Sequence, residues 1–354
     1  IQFKSPSDLQ AVVRMTKDPS KIPFSQVMQA LLDDSKPFQA RYLYRLSDLS
    51  TTDLATLSIT WASVPQRRRQ AVMEDVLEMS GSDYLLNFNG LGRLALQDQD
   101  PLVRVLAIQT LQEYEEPDFI SVFIEMMLQD VDARVRAASA SALGTFVYLG
   151  EVDQLPKPIL REVEEELLRV VRGQDVPLVR RKALEALGFS SREEVEPLLL
   201  EAYHSGDQDW IISALLAMGR SLNTIWEDEV LAKLDDENAA VRAEAAGAAG
   251  ELSLRKSTPR LLELLGDDDV DVRAAAIWSL SEIGGEGIRE ILEEMLDETE
   301  DEDEAELLED ALDNLEFVEG MDGFALMDLS AVDEELDDED DFFEDDGFED
   351  DTNY

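Results

Sequence analysis

The stretches NAAVRAEAAGAAG at 238–250 and DVDVRAAAIWSL at 269–280 decide the fold. Each opens on Asn or Asp (Asn238, Asp269) and places Val-Arg three and four residues later, as Val241-Arg242 and Val272-Arg273. Counting the opening residue as 0, positions +3, +7, +8 and +11 are apolar or small. At 3.6 residues per turn they share one face of a helix. The opening side chain can accept hydrogen bonds from the free amides of a helix N-terminus. Small residues at +7 and +10 (Ala245 and Ala248, Ala276 and Ser279) let a second helix come close. Gly250, at +12, suits the left-handed residue that ends a helix.

The same pattern starts at Asp100, Asp132, Val176 and Asp207, so successive starts lie 32, 44, 31, 31 and 31 residues apart. Arg104, Arg136 and Arg180 hold the +4 place; in the fourth unit Trp210 and Ile211 stand where Val and Arg are expected. A second apolar segment follows each start, at 119–128, 159–171, 195–203, 225–234, 258–265 and 288–296. The unit is therefore a helical hairpin. Ordering one costs about 30–60 kcal/mol of conformational entropy. At about 25 cal/mol per Å² that calls for more than about 1,000 Å² of buried apolar surface. A lone hairpin has a core on one side only, so its neighbours must supply the rest, which is the logic of a solenoid.

These starts, with DPLVRVLAIQTL, DARVRAASASALG and VPLVRRKALEALG, resemble the HEAT-repeat family, in particular the short HEAT-like repeats also found in phycobilin lyases. The resemblance covers about residues 98–297. It implies an all-α fold, a right-handed superhelix of antiparallel helix pairs. It also implies a structural ladder of Asp and Arg along the stack: Asp100, Arg104, Asp132, Arg136, Arg180, Arg242, Asp269 and Arg273. Ile211 breaks that ladder in the fourth repeat. Family members are mostly scaffolds, a minority enzymes or nucleic-acid binders, so fold is better determined than function.

Three regions are expected: a divergent helical cap at 1–97, the repeats at 98–317 and an acidic disordered tail at 318–354. The cap shows helical spacing at 9–15, 24–32, 38–46, 53–62, 66–79 and 88–96, with room for decayed repeats. The 44-residue step carries about 13 extra residues around 146–158, read as a longer helix end and loop or as a protruding contact loop. The net charge is −50, and from Glu290 onward there are 32 acids and no Lys or Arg. Such a run repels itself and has little to bury, so the tail should be disordered beyond a boundary near 318–320.

Composition narrows the chemistry. There is no Cys and one His, which removes disulfides, thiolate nucleophiles and Cys- or multi-His metal sites. His204 reads as a surface or capping residue. HEAT-like hydroxylases that modify a lysine-derived residue hold iron with His-Glu pairs, and this chain has none. With 80 acids, close carboxylate pairs such as Glu164–Glu166 and Asp267–Asp269 read as solvated faces. GGEG at 284–287 lacks the Lys-Ser/Thr of a phosphate loop and reads as a turn. No run reaches the roughly 20 apolar residues of a spanning helix. The opening IQFKSPSDLQ has neither the apolar core of a secretory signal nor an initiator Met, leaving room for a longer parent chain and pointing to the cytoplasm.

The expected activity is therefore non-catalytic: a scaffold or adaptor binding another protein, a monomer by default, with no cofactor, metal or membrane partner. A phycobilin lyase-like, chromophore-handling protein is the alternative. A nucleic-acid-binding solenoid ranks below it, because the net charge repels phosphates. Candidate contact residues are Trp278 and Leu216 at +9, away from the core face, and the basic run Arg67, Arg68 and Arg69. Phe342, Phe343 and Phe348, set among acids in the tail, complete the set. Trp278 either anchors a partner or is covered by the next repeat. The arginines either line the polar side of their helix or dock an acidic segment, the protein's own tail included. Trp210, at a core position, is accounted for by packing.

Overall fold

The computed structural model describes residues 22–337, and among them every regular element is a helix. The chain divides into two compact units, Ile1–Ser221 and Leu222–Tyr354. The division falls between the two helices of the fourth repeat, inside the stretch that the sequence treats as one run.

In the first unit the cap comprises α1 (Phe24–Leu32), α2 (Ala40–Leu43), α3 (Thr51–Trp61), α4 (Gln66–Ser82) and α5 (Asn89–Ala95). The repeats follow as α6 (Pro101–Gln112) with α7 (Phe119–Gln129), α8 (Ala133–Glu151) with α9 (Lys157–Val171), and α10 (Pro177–Ala186) with α11 (Val195–Tyr203). The unit ends on α12 (Gln208–Arg220). The second unit holds α13 (Glu227–Leu231), α14 (Ala239–Glu251), α15 (Thr258–Leu264), α16 (Val270–Ile283), α17 (Ile288–Glu298) and α18 (Glu302–Asp337). The hairpins read from the sequence are thus present at their expected places.

Local chemistry explains each start. Asp100, Asp132, Asp207, Asn238 and Asp269 all accept backbone amides of the first helical turn through their side chains. Val176 has no such acceptor, and Pro177 at the first helical position removes one amide that would need it. Val103, Val135, Val179, Val241 and Val272, all at +3, are fully buried, as are the small +7 residues Ala107, Ser139, Ala183, Ala214, Ala245 and Ala276.

The glycine at +12 does a different job from the one expected. Gly144 and Gly250 lie inside their helices, and neither they nor Gly188 has a positive φ. The left-handed residue comes three positions later, as Glu115, Leu222, Ser253 and Gly284. What the glycine provides is proximity: a Cβ on Gly144, Gly188 or Gly250 would lie 3.3, 2.7 or 2.9 Å from the Cα of Ala186, Ala217 or Ser279. Those three are the +10 residues of the next repeat. A backbone-to-backbone contact between first helices therefore sets the stacking distance, and any side chain would push it open.

The extra residues of the second repeat lengthen α8 to 19 residues and α9 to 15, joined by a short turn at 152–156. At the C-terminal end, α18 buries Leu308, Ala311 and Leu315 against α16 and α17. Its backbone runs on past 318–320 to Asp337. The segment at 9–15 and the aromatic residues Phe342, Phe343 and Phe348 lie outside the described residues.

Candidate functional site

The ladder is where regularity and its loss can be read most directly. Three ladder arginines, Arg104, Arg136 and Arg242, tie two repeats together through a carboxylate. Arg104 Nη1 donates to the carbonyls of Asp98 and Gln99, while Nε and Nη2 donate to the carboxylate of Asp130 at 2.9 and 2.7 Å. Arg136 grips Asp175 in the same two-pronged way at 2.8 and 2.6 Å, and Arg242 grips Asp267 at 2.9 and 2.8 Å. Arg273 donates to the Asp267 carbonyl and lies 3.6 Å from Glu304. The capping residues Asp100, Asp132 and Asp269 are thus not the rungs. The rung is the acid one or two residues before the cap of the next repeat. In three cases, Asp98, Asp130 and Asp267, that acid also accepts the amide of the capping residue two places on.

The ladder extends into the cap, which the sequence did not show. Arg69 on α4 lies 2.8 Å from Asp98, which also takes a hydrogen bond from the Trp61 indole at 2.7 Å. Gln66 and Gln70 donate to Asp100. Helix α4 is thus a decayed first helix. The arginine run must accordingly be reread: Arg69 is an internal rung, and Arg68 is buried. Arg68 donates to the carbonyls of Asp33 and Lys36 and lies over the Phe38 ring. Arg67 alone is exposed, so the run presents no basic patch.

The acids quoted as solvated faces are corrected in the same way. Asp267 is a rung, Asp269 a cap, and Glu164 is buried. Burial pushes the Glu164 carboxyl up, against the opposing Ser190 hydroxyl that donates to it. Glu164 lies on the wall of a polar cavity of about 580 Å³ made by the lengthened hairpin, with Glu151, Asp153, Lys157, Arg161 and Arg192. His204 is exposed at the end of α11, and Gly284, Gly285 and Gly287 turn the chain with positive φ.

The fourth repeat departs from the pattern at three neighbouring places. Ser205 stands two residues before the cap, where Asp98, Asp130, Asp236 and Asp267 stand elsewhere. It still accepts the Asp207 amide, at 3.1 Å, so the turn is kept but the charge is gone. Among the described residues Arg180 therefore pairs with no carboxylate. It donates Nε to the Val171 carbonyl at 2.9 Å and lies over the Trp210 ring, 5.3 Å from its centre. Trp210 is too large for the valine slot and stays half-buried, which corrects the reading of it as ordinary core. Between them lies a hollow of about 390 Å³, walled also by Arg172, Leu184, Leu198, Glu201 and Ala202. The tie between the two repeats passes to Arg181, 2.8 Å from Asp209.

In the second unit Trp278 is 40% exposed on α16, and its indole N–H donates to Glu282 at 3.0 Å. Burial pushes the Glu282 carboxyl up. Its +9 counterparts are half-buried or buried; Leu216 is half-buried, and Glu185 is interior, taking bonds from Ser213 and Lys182. No group of three His, Cys, Asp or Glu among the described residues could hold a metal ion, and no helix there is long and apolar enough to cross a membrane.

A family model of HEAT repeats matches residues 89–157 and 227–313. The repeats within those two stretches are thus HEAT repeats. No curated protein matches. Among solved structures, the Escherichia coli YibA protein is 17% identical with a TM-score of 0.38, over 89% of this chain and 99% of that one. The CpcE–CpcF complex of phycocyanin lyase from a Nostoc species is 19% identical with a TM-score of 0.44, over 64% and 94%. Yeast importin-beta is 14% identical with a TM-score of 0.45, over 88% of this chain and 49% of that one.

Proposed function

We propose that this HEAT-repeat chain is a non-catalytic scaffold that binds another protein through the surface of its stacked helices. Trp278 carries the reading. Exposed aromatic side chains on rigid elements supply large contact area at little entropic cost, and they dominate the energetics of many interfaces. Here the ring stands on the first helix of a repeat, off the core face, and its hydrogen bond to Glu282 fixes its orientation before any partner arrives. The small and apolar residues beneath it, Ala276, Ile277 and Leu280, are fully or almost fully buried, so the ring sits on a firm base.

The test is affinity capture from native lysate with wild type and Trp278→Ala side by side. A partner retained by the wild type and lost from the variant, with the melting temperature within about 2 °C, is the expected result. A variant that melts much lower while retaining the partner would place Trp278 in the structural core instead.

A further inference from the structure

We infer that the hollow between Arg180 and Trp210 takes an aspartate or glutamate side chain from a segment of a partner protein. That side chain would complete the rung that Ser205 leaves open. The inference rests on the protein-binding reading and names the chemistry of one contact within it.

Internal precedent argues for a carboxylate. Arg104, Arg136 and Arg242 each hold a carboxylate with two parallel N–H donors. Arg180 occupies the same repeat position, has one backbone acceptor for Nε, and pairs with no acid among the described residues. Its guanidinium is steadied by the Trp210 ring, and with Nε held by the Val171 carbonyl it is the Nη1 and Nη2 groups that remain for a two-pronged grip, one edge round from the Nε–Nη2 grip of the other rungs. Arg172 adds a second positive group on the wall, and Glu201 a single opposing one.

The lining argues for a peptide over a small acid. Leu198 and the Trp210 ring offer apolar surface beside the arginine, backed by the buried Leu184 and Ala202. A second hollow of about 370 Å³ shares Arg172 and Leu198 with the first and continues past Pro197. Glu193 and Glu194 also line this second hollow, so the segment that fits places its acid at Arg180 and an uncharged aromatic or aliphatic residue beside it, against Leu198 and Pro197. The net charge of the whole chain does not forbid this, because screening confines electrostatics to about 8 Å at physiological salt.

A labelled peptide Phe-Glu-Asp-Asp-Gly-Phe-Glu-Asp-Asp, the sequence of residues 343–351, is a probe of this chemistry, with Phe-Gln-Asn-Asn-Gly-Phe-Gln-Asn-Asn as control. Binding to the full chain is read by fluorescence anisotropy. The acidic peptide should bind at least tenfold more tightly than the control, and Arg180→Ala should weaken it at least tenfold. Ser205→Asp, which supplies the missing rung from within, should weaken binding similarly while raising the melting temperature, so loss of fold is not mistaken for loss of the site. Equal binding of the two peptides, no binding at all, or binding indifferent to Ser205→Asp would overturn the inference. Binding that emerges only when Phe342, Phe343 and Phe348 are all changed to Ser would assign the site to the chain's own tail, and would overturn it too. Capture through Trp278 is read separately, so either conclusion can fail alone.

Discussion

Gly188 lies so close to Ala217 that a Cβ on the glycine would fall 2.7 Å from the alanine Cα. No such crowding surrounds Gly247, which has nothing within 4 Å of where its Cβ would stand. The same substitution should therefore act in opposite directions at the two positions. Gly247→Ala should stabilise by about 0.5–1 kcal/mol, the conformational entropy that glycine loses within a helix. Gly188→Ala should destabilise by about 1–3 kcal/mol, because backbone has to move aside. Chemical denaturation of both variants checks this; equal signs would refute the stacking role given to the glycine.

Arg68 and Arg67 are neighbours with unlike fates. Arg68 is buried and satisfies the carbonyls of Asp33 and Lys36. Arg68→Ala should cost about 2–4 kcal/mol, since it strands buried acceptors and leaves a gap. Arg67→Ala should stay within about 0.5 kcal/mol of wild type, as exposed substitutions usually do. Differential scanning calorimetry of the two would show the contrast, and a harmless Arg68→Ala would return that side chain to the surface.

The rung between Arg242 and Asp267 is shielded but not sealed, with 16% and 11% of the two side chains exposed. Removing one partner from a buried pair costs about 3–5 kcal/mol, and partial exposure should reduce the loss at Asp267→Asn to about 1–3 kcal/mol. The double variant Arg242→Met, Asp267→Leu should recover part of it, since no charge is then left alone. A double variant worse than the sum of the singles would contradict this account.

Acid titration should show two opposed effects. Hydrogen bonds from Arg136 and Arg242 hold Asp175 and Asp267 below the usual carboxylate range, and Arg134 brings Asp132 down to about 2. A depressed folded value means stability that is whole above the unfolded value of about 4 and is lost as pH falls through the folded one. Glu164 and Glu282 are pushed up by burial. Their contribution is whole below about 4.3 and is lost as pH rises through the raised value. The melting temperature should thus fall steeply below pH 4. Glu164→Gln should gain on wild type at pH 7 and lose that gain at pH 4. A variant less stable than wild type at pH 7 would contradict the sign.

What could be read from residues alone follows from how local each feature is. The hairpins were legible because Val at +3, small residues at +7 and an Asx start act within one helix, and the structure has them where the pattern places them. The rungs were half legible: the arginines stand out by spacing, but their partners lie 25–39 residues away. Asp130 and Asp267 look like any other acid in a chain with 80 of them. Gly250 was misread because a glycine in the last turn of a helix fits either a left-handed cap or a close approach, and only the neighbouring helix decides between them. Arg69 was missed because its repeat has lost the Asx start. The hollow beside Trp210 had a signal that went unused: three consensus positions, at Ser205, Trp210 and Ile211, change together.

The glycine contact has a bearing on where this architecture can grow. The close approach of the first helices is complete by +12, and the second repeat adds its surplus residues beyond Gly144, where α8 ends and α9 begins. Material spliced into the turn at 152–156, after Glu151 and its bond to the Ser191 amide, lengthens one hairpin and leaves the glycine contact as it is. Evolution, or an engineer threading a reporter into that turn, can thus elaborate one hairpin without disturbing the close approach of its first helix to the next.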